Sequence, residues 1–345
     1  MTTIIEETLF ICVGQAGGNI GQLLENHGGN VLNINSSPQD LATLNAKHKH
    51  LIEGGDGCSK DRLKAKQLVK NDFAAIKELI GRYAKSAKII MVIFSAGGGT
   101  GSGAGPALAK MLTRHYPDAI VPMATILPAV SESYMANANA YACFQDILKV
   151  DKSGACFVLD NQEFSNKLDI NEQFVEYLLS FLAIPDKDKS VISNVDASEV
   201  RTALSAHNMA LLAVSPTLPA LFEDLANGIF AKAETDKQIE YITLSLADTS
   251  ISEAQIQTDL RKNFGTPKDC FMTYNGRGMN IAMMSGLSYP AGRLKKIEQY
   301  LDENKRSAAE QIQLNADMSF LTKKEKPSLP LDADSDDDIW DEFGV

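Results

Sequence analysis

The sequence has no cysteines at CxxC spacing, a single tryptophan and no surplus of basic charge. Its five cysteines (Cys12, Cys58, Cys143, Cys156, Cys270) are odd in number and scattered. That excludes a disulfide scaffold and a CxxC zinc site, and it fits a reduced cytoplasm. Cys12 and Cys156 lie in apolar runs and read as small core residues. No apolar run reaches the roughly 20 residues a membrane span needs. Residues 1–7 carry two glutamates and no base, which is not a signal-peptide n-region. The histidines (His27, His48, His50, His115, His207) sit at helix ends or in polar loops, beside no Cys or Asp motif. An ordinary metabolic enzyme of Rossmann type would need a catalytic acid–base pair, and none is legible. Lys+Arg 33 against Asp+Glu 44 gives a net charge of -11, which argues against direct binding to nucleic acid or an anionic membrane.

A length of 345 residues exceeds what one core fills, since single cores stop growing near roughly 250–300 residues. The first half alternates short apolar runs with helical spacing. Strands are expected at Thr8–Val13, 31–35, 88–94, 119–127 and 155–159, and helices at 17–25, 61–83, 103–114 and 133–149. This rhythm predicts an α/β fold: a parallel, Rossmann-like sheet covered on both faces. A long central helix follows at 171–184. Residues 185–189 break it, and Asp196 is placed to cap a further helix to about 208. Beyond residue 215 the pattern is that of a smaller α+β domain, with strands at 241–246, 270–274 and 278–285 and a helix at Glu253–Asn263. The expected division is 1–170, 171–215, 216–288, a long polar helix over 289–320, and 321–345 as a linker and disordered acidic tail.

The strongest chemical signal is Gly97-Gly98-Gly99-Thr100-Gly101-Ser102-Gly103, between a buried strand and a helix. Glycines let backbone N–H groups approach a ligand closely, and the helix adds its positive end. Thr100 and Ser102 are candidate hydroxyl donors. Gly14-Gln15-Ala16-Gly17-Gly18-Asn19 is a second glycine turn, without G-x-G-x-x-G spacing. Gly54-Gly55-Asp56-Gly57-Cys58-Ser59-Lys60 is a third. No G-x-x-x-x-G-K-[ST] occurs, so the P-loop class is excluded. Three such loops at the ends of a parallel sheet point to one phosphate-bearing ligand.

The GGGTGSG segment resembles the signature of the tubulin/FtsZ superfamily of GTPases. Residues 13–19, 33–38 and 54–62 are similar to that family's first three nucleotide loops, which assigns nucleotide contacts to Asn35, Gly55, Gly57 and Lys60 as well. The resemblance places Glu132 near the ribose, and Asn161 and Asn171 at the guanine. It implies GTP as ligand and Mg²⁺ at the phosphates, held largely by phosphate and water with no side-chain cluster. Asn194-Val195-Asp196-Ala197-Ser198-Glu199 resembles the N-x-D-x-x-[DE] loop that, in the family, enters the neighbouring subunit's nucleotide site. Asn194, Asp196 and Glu199 would then prepare the attacking water. Read alone, Asp196 and Glu199 equally fit a helix cap and a first-turn acid.

What the resemblance implies is a GTPase that polymerises head-to-tail into filaments, with hydrolysis completed by the neighbouring copy. The layout is similar to the phage and plasmid tubulins, the PhuZ and TubZ groups. The last fifteen residues hold seven acids and no base, leaving 37 acids against 33 bases elsewhere. An acidic tail resembles the PhuZ group, whose filaments position phage DNA in the host cytoplasm. A plasmid-partition filament of TubZ type and an FtsZ-like division filament are the alternatives. Asp338, Ile339, Trp340 and Phe343 read as a docking peptide for the adjacent subunit, through a basic groove that includes Arg293, Lys295 and Lys296.

Overall fold

The structure, a computed structural model, describes residues 2–163, 166–234 and 239–317. The chain divides into two compact units, Met1–Leu301 and Asp302–Val345. The docking peptide at Asp338, Ile339, Trp340 and Phe343 lies outside the described residues.

The strands are β1 (Thr8–Val13), β2 (Asn30–Asn35), β3 (Lys49–Leu51), β4 (Ile89–Ser95), β5 (Met123–Leu127), β6 (Ala155–Asp160), β7 (Asn208–Ser215), β8 (Ile239–Leu246), β9 (Pro267–Tyr274) and β10 (Asn280–Leu287). They form one ten-stranded sheet in the order β3-β2-β1-β4-β5-β6-β7-β10-β8-β9. Pairing from β3 through β7 is parallel, β10 runs antiparallel to both neighbours, and β8 and β9 are parallel. The α/β expectation holds. β1 and β5 are buried at every position, as strands covered on both faces must be.

The helices are α1 (Gly14–Asn26), α2 (Pro38–Thr43), α3 (Arg62–Asn71), α4 (Phe73–Tyr83), α5 (Thr100–His115), α6 (Tyr134–Ile147), α7 (Lys167–Leu182), α8 (Ile184–Lys187), α9 (Ala197–Ser205), α10 (Leu218–Asn227), α11 (Glu253–Asn263) and α12 (Ala291–Asp317). From β1 the chain winds through β2 to β3 on one side. From β4 it winds through β5 and β6 to β7 on the other. The two directions part between β1 and β4, and in a doubly wound sheet the crevice beyond the strand ends at such a point takes the ligand.

Several expectations are corrected. Residues 61–83 are two helices, because Asp72 ends α3 and begins α4. Its buried carboxylate pairs with His50 on β3, so His50 does have an acidic partner. β7 and α10 carry no expected counterpart: the helix expected to about 208 stops at Ser205, and between it and the boundary near 215 lies a buried strand, with a further helix beyond. β10 pairs directly with β7, so the strands expected after residue 215 continue the same sheet. Burial pushes the thiols of Cys12, Cys143 and Cys156 well above their usual range, so they stay protonated and act as packing groups. Among the described residues no helix is long and apolar enough to cross a membrane.

Candidate functional site

Two helix N-termini meet at the point where the sheet's winding reverses. α1 begins at Gly14, directly after β1. α5 begins at Thr100, after β4 and the glycine loop, with Gly99 at its N-cap. Neither has a side-chain cap or an acid in its first turn, so their first N–H groups lack side-chain partners. Gly14 has φ +74, and a Cβ there would sit 3.1 Å from the Gly101 nitrogen. Only glycine lets the two helix starts approach this closely. The cavity between them has a volume of about 450 Å³, within the roughly 300–1,000 Å³ usual for small-molecule sites.

Of the residues assigned from sequence, Gly14, Gln15, Ala16, Asn19, Gly57, Lys60, Gly98, Gly99, Thr100 and Gly101 line this cavity. The others stand behind it. A Cβ on Gly17 would lie 2.5 Å from the Ile93 carbonyl, and one on Gly18 2.7 Å from Leu44. Gly55 is backed by the Ser36 and Ile52 carbonyls, Gly97 by Pro128 and the Ala136 carbonyl, and Gly103 by Arg62. These glycines serve close packing. Ser102 is fully buried and donates to the Gly98 carbonyl, so its hydroxyl is not turned toward a ligand. Asn35 is also buried. Its Nδ2 donates to Asp40 Oδ2 at 3.3 Å, and its Oδ1 accepts from Ser37 N at 3.1 Å.

Ser37, Asp40, Cys58 and Ser59 line the cavity without having been assigned from the sequence. Ser37 caps α2 and Pro38 takes its first turn, and that Ser-Pro pair was the legible signal. Among the described residues Asp40 is the one carboxylate in the lining, and Lys60 the one amine. Ser59 and Lys60 have φ 45 and 68, left-handed values that non-glycine residues adopt at a cost and that concentrate at functional sites. The loops are tied to one another. Ser36 Oγ lies 2.7 Å from Thr100 Oγ1 and 3.2 Å from Cys58 Sγ. Asn139 Nδ2, on α6, donates to the carbonyls of Lys60 (2.9 Å) and Gly98 (2.8 Å), bridging the third loop to the main glycine loop. Asn139→Ala removes the donor from both. It is expected to lower stability by about 1–3 kcal/mol and to weaken binding of a nucleoside triphosphate, checked by urea unfolding and calorimetry on the same preparation.

Glu132 pairs with Lys167 Nζ at 2.7 Å and accepts from Ala129 N at 3.1 Å, outside the lining. Asn161 and Asn171 are buried at the end of β6 and in α7. A second cavity of about 520 Å³ lies near Asp160, Phe230, Lys232 and Arg293. Among the described residues no pair of helix starts converges there, and Arg293 is already engaged by Asp160. The crevice between β1 and β4 is the better anion site.

Asn194, Asp196 and Glu199 lie elsewhere. Asp196 Oδ1 accepts from the N–H groups of Ser198 (2.7 Å) and Glu199 (3.0 Å), and Glu199 Oε2 accepts from Asp196 N at 2.9 Å. The pair is thus a capping box for α9. Asn194 braces its loop against Ser190 through both amide atoms, at 2.9 and 2.7 Å. Among the described residues no hydrogen bond reaches Asp196 Oδ2 or Glu199 Oε1, so each acid keeps an oxygen for another task. α7, 16 residues and so about 24 Å long, carries the chain from the end of β6 toward this loop. These acids are absent from the crevice lining of their own chain.

Residues 7–169 match the Tubulin/FtsZ family, GTPase domain. The tubulin-like protein TubZ of Clostridium botulinum C phage is 26% identical over 312 residues, 88% of this chain and 85% of that protein. Clostridium botulinum phage c-st TubZ with its C-terminal tail truncated superposes with a TM-score of 0.78 at 25% identity, covering 88% of this chain and 99% of that one. A GTPγS-bound protofilament of CetZ2 from Haloferax volcanii has a TM-score of 0.72 at 20% identity, over 86% of this chain and 99% of the other.

Proposed function

We propose, for a chain whose residues 7–169 match the GTPase domain of the Tubulin/FtsZ family and whose fold is tubulin-like, that it is a filament-forming GTPase whose active site is completed between two copies. GTP binding and hydrolysis follow from the domain itself. The finer reading is head-to-tail assembly. The triphosphate lies in the crevice between β1 and β4, held by N–H groups of residues 14–16 and 98–101, while Asp196 and Glu199 reach it from the next copy. The observation that carries this is separation: among the described residues the crevice has no acid besides Asp40, and the candidate water-preparing acids lie beyond α7. A heterologous contact that repeats makes an open filament.

Magnesium fits the crevice. The Asp40 carboxylate and the hydroxyls of Ser37 and Thr100 are hard oxygen donors of the kind it takes, beside the phosphates themselves. When bound, it would offset charge developing on the phosphate oxygens. The chain's own part is to hold the phosphates with backbone N–H groups, to orient the nucleotide, and to present a carboxylate oxygen to the attacking water.

In this reading residues 1–170 form the nucleotide domain, 171–215 the central helix and acid loop, 216–288 the C-terminal domain, 289–320 the long helix and 321–345 the tail. The filament works in the host cytoplasm and positions or segregates phage DNA without touching nucleic acid or membrane directly. A partition filament of TubZ type is the second reading, favoured by the similarity over 312 residues to a phage-borne TubZ. The acidic tail docks on the adjacent subunit. Arg293 is removed from its groove, being buried and held by Asp160, which leaves Lys295 and Lys296.

The test is phosphate release measured against protein concentration, with electron micrographs in GTP, GDP and ATP. A threshold is expected, above which turnover per subunit rises and fibres are present in GTP. Turnover strictly proportional to concentration, with no fibres in any nucleotide, defeats the proposal.

A further inference from the structure

Arg293, in the first turn of α12, has a side chain only 7% exposed. Its Nε donates to Asp160 Oδ2 at 2.7 Å and its Nη2 to Asp160 Oδ1 at 3.1 Å, a two-point clamp on the end of β6. The same Nη2 donates to the Pro128 carbonyl at 2.6 Å, in the loop after β5. Pro128 in turn backs the glycine loop: a Cβ on Gly97 would lie 3.3 Å from its ring. Two turns further along α12, the Tyr300 hydroxyl donates to the Glu132 carbonyl at 3.4 Å. The start of the helix therefore grips the loop that follows β5 and the last residue of β6, from which the next loop departs.

Stability alone is a poor reason for such a residue. Burying an ion pair gives back little more than its desolvation costs, and an apolar pair of the same volume does as well or better. What the guanidinium adds is geometry, because its planar fork fixes a carboxylate and a carbonyl at set angles, which a lysine ammonium cannot reproduce.

We propose that Arg293 is a positioning residue for the nucleotide crevice: it holds the loops after β5 and β6 in register behind the glycine loop and so sets discrimination at the sugar and base of the nucleotide. This rests on the reading that residues 127–132 and 160–161 approach the ribose and base of GTP. The start of α12 then senses which nucleotide is bound, since a shift of either loop moves Arg293.

The experiment is calorimetric titration of the full chain and of Arg293→Lys with GTP, 2′-deoxy-GTP, ATP and inorganic tripolyphosphate. The variant is expected to hold tripolyphosphate within about twofold of the parent, to bind GTP about tenfold more weakly, and to lose most of the GTP-over-ATP preference. An unchanged preference overturns the proposal. A parent chain that binds tripolyphosphate but does not distinguish GTP from ATP instead defeats the underlying reading of the base loops, whatever Arg293 does. Should Arg293→Lys fail to fold, hydrogen exchange on the parent decides: GTP should slow the amides of residues 293–300 together with those of 129–132. Slowing in the crevice without slowing at 293–300 also overturns it.

Discussion

Chains carrying Asp196→Asn or Glu199→Gln are expected to bind GTP as the parent does and to release phosphate about 100-fold or more slowly, the size of a lost general base or water-orienting carboxylate. The choice of amide matters. Both acids cap α9, and alanine would remove the cap as well, at about 0.5–2 kcal/mol. Asparagine and glutamine keep an oxygen for the cap while removing the charge. The same logic gives a complementation test. Gly99→Val places a side chain where even a Cβ lies 2.8 Å from the Lys60 backbone, so its own crevice is closed. Mixed with Asp196→Asn, it can lend intact acids to the other chain's intact crevice. Each variant alone is expected to be nearly silent, and the mixture to regain turnover. A mixture as inactive as its parts, or an Asp196→Asn chain hydrolysing at the parent rate, removes the acid loop from the mechanism.

Arg277→Leu is expected to have the largest effect on stability, about 3 kcal/mol out of the roughly 5–15 that a domain has. Asp188, at the start of the loop that leads to Asn194, has a side chain with no exposed surface. It accepts from Ser245 Oγ at 2.6 Å and from Arg277, while its Oδ1 has no partner among the described residues. Without Arg277 the carboxylate is left buried and unpaired. The low end of the usual 3–5 kcal/mol applies, because Arg277 is itself 29% exposed and water can replace part of it. Urea midpoints measure this, and a second change, Asp188→Asn, should recover most of the loss. If the single variant unfolds at the parent's midpoint, the network is not holding the loop.

Much of the fold was legible because its signals are local. Buried parallel strands are short apolar runs, and the glycines that fix the crevice are neighbours in the chain. The parts that were not legible are long-range. Asn139 joins carbonyls 79 and 41 residues away. Arg293 finds Asp160 at a separation of 133, and Asp72 finds His50 across a helix that looked continuous. No periodicity announces such pairs. β7 was missed for a different reason: Met209, Ala210, Leu211 and Leu212 are good helix formers, and only pairing on both sides makes that stretch a strand. Asp196 and Glu199 were singled out by motif, and their visible contacts are those of a helix cap, the alternative that the sequence alone leaves equally open.

The place of β10 has a consequence for biosynthesis. Among the described residues it is the last strand to leave the ribosome, yet it lies inside the sheet, between β7 and β8, with Asn280 opposite Ser215. The seven parallel strands can associate while the rest is still being made, but the outer margin of β7 must wait some sixty-five residues for its neighbour. During that interval an apolar strand edge lies open, the sort of surface that chaperones shield and that leads nascent chains to aggregate when they stall.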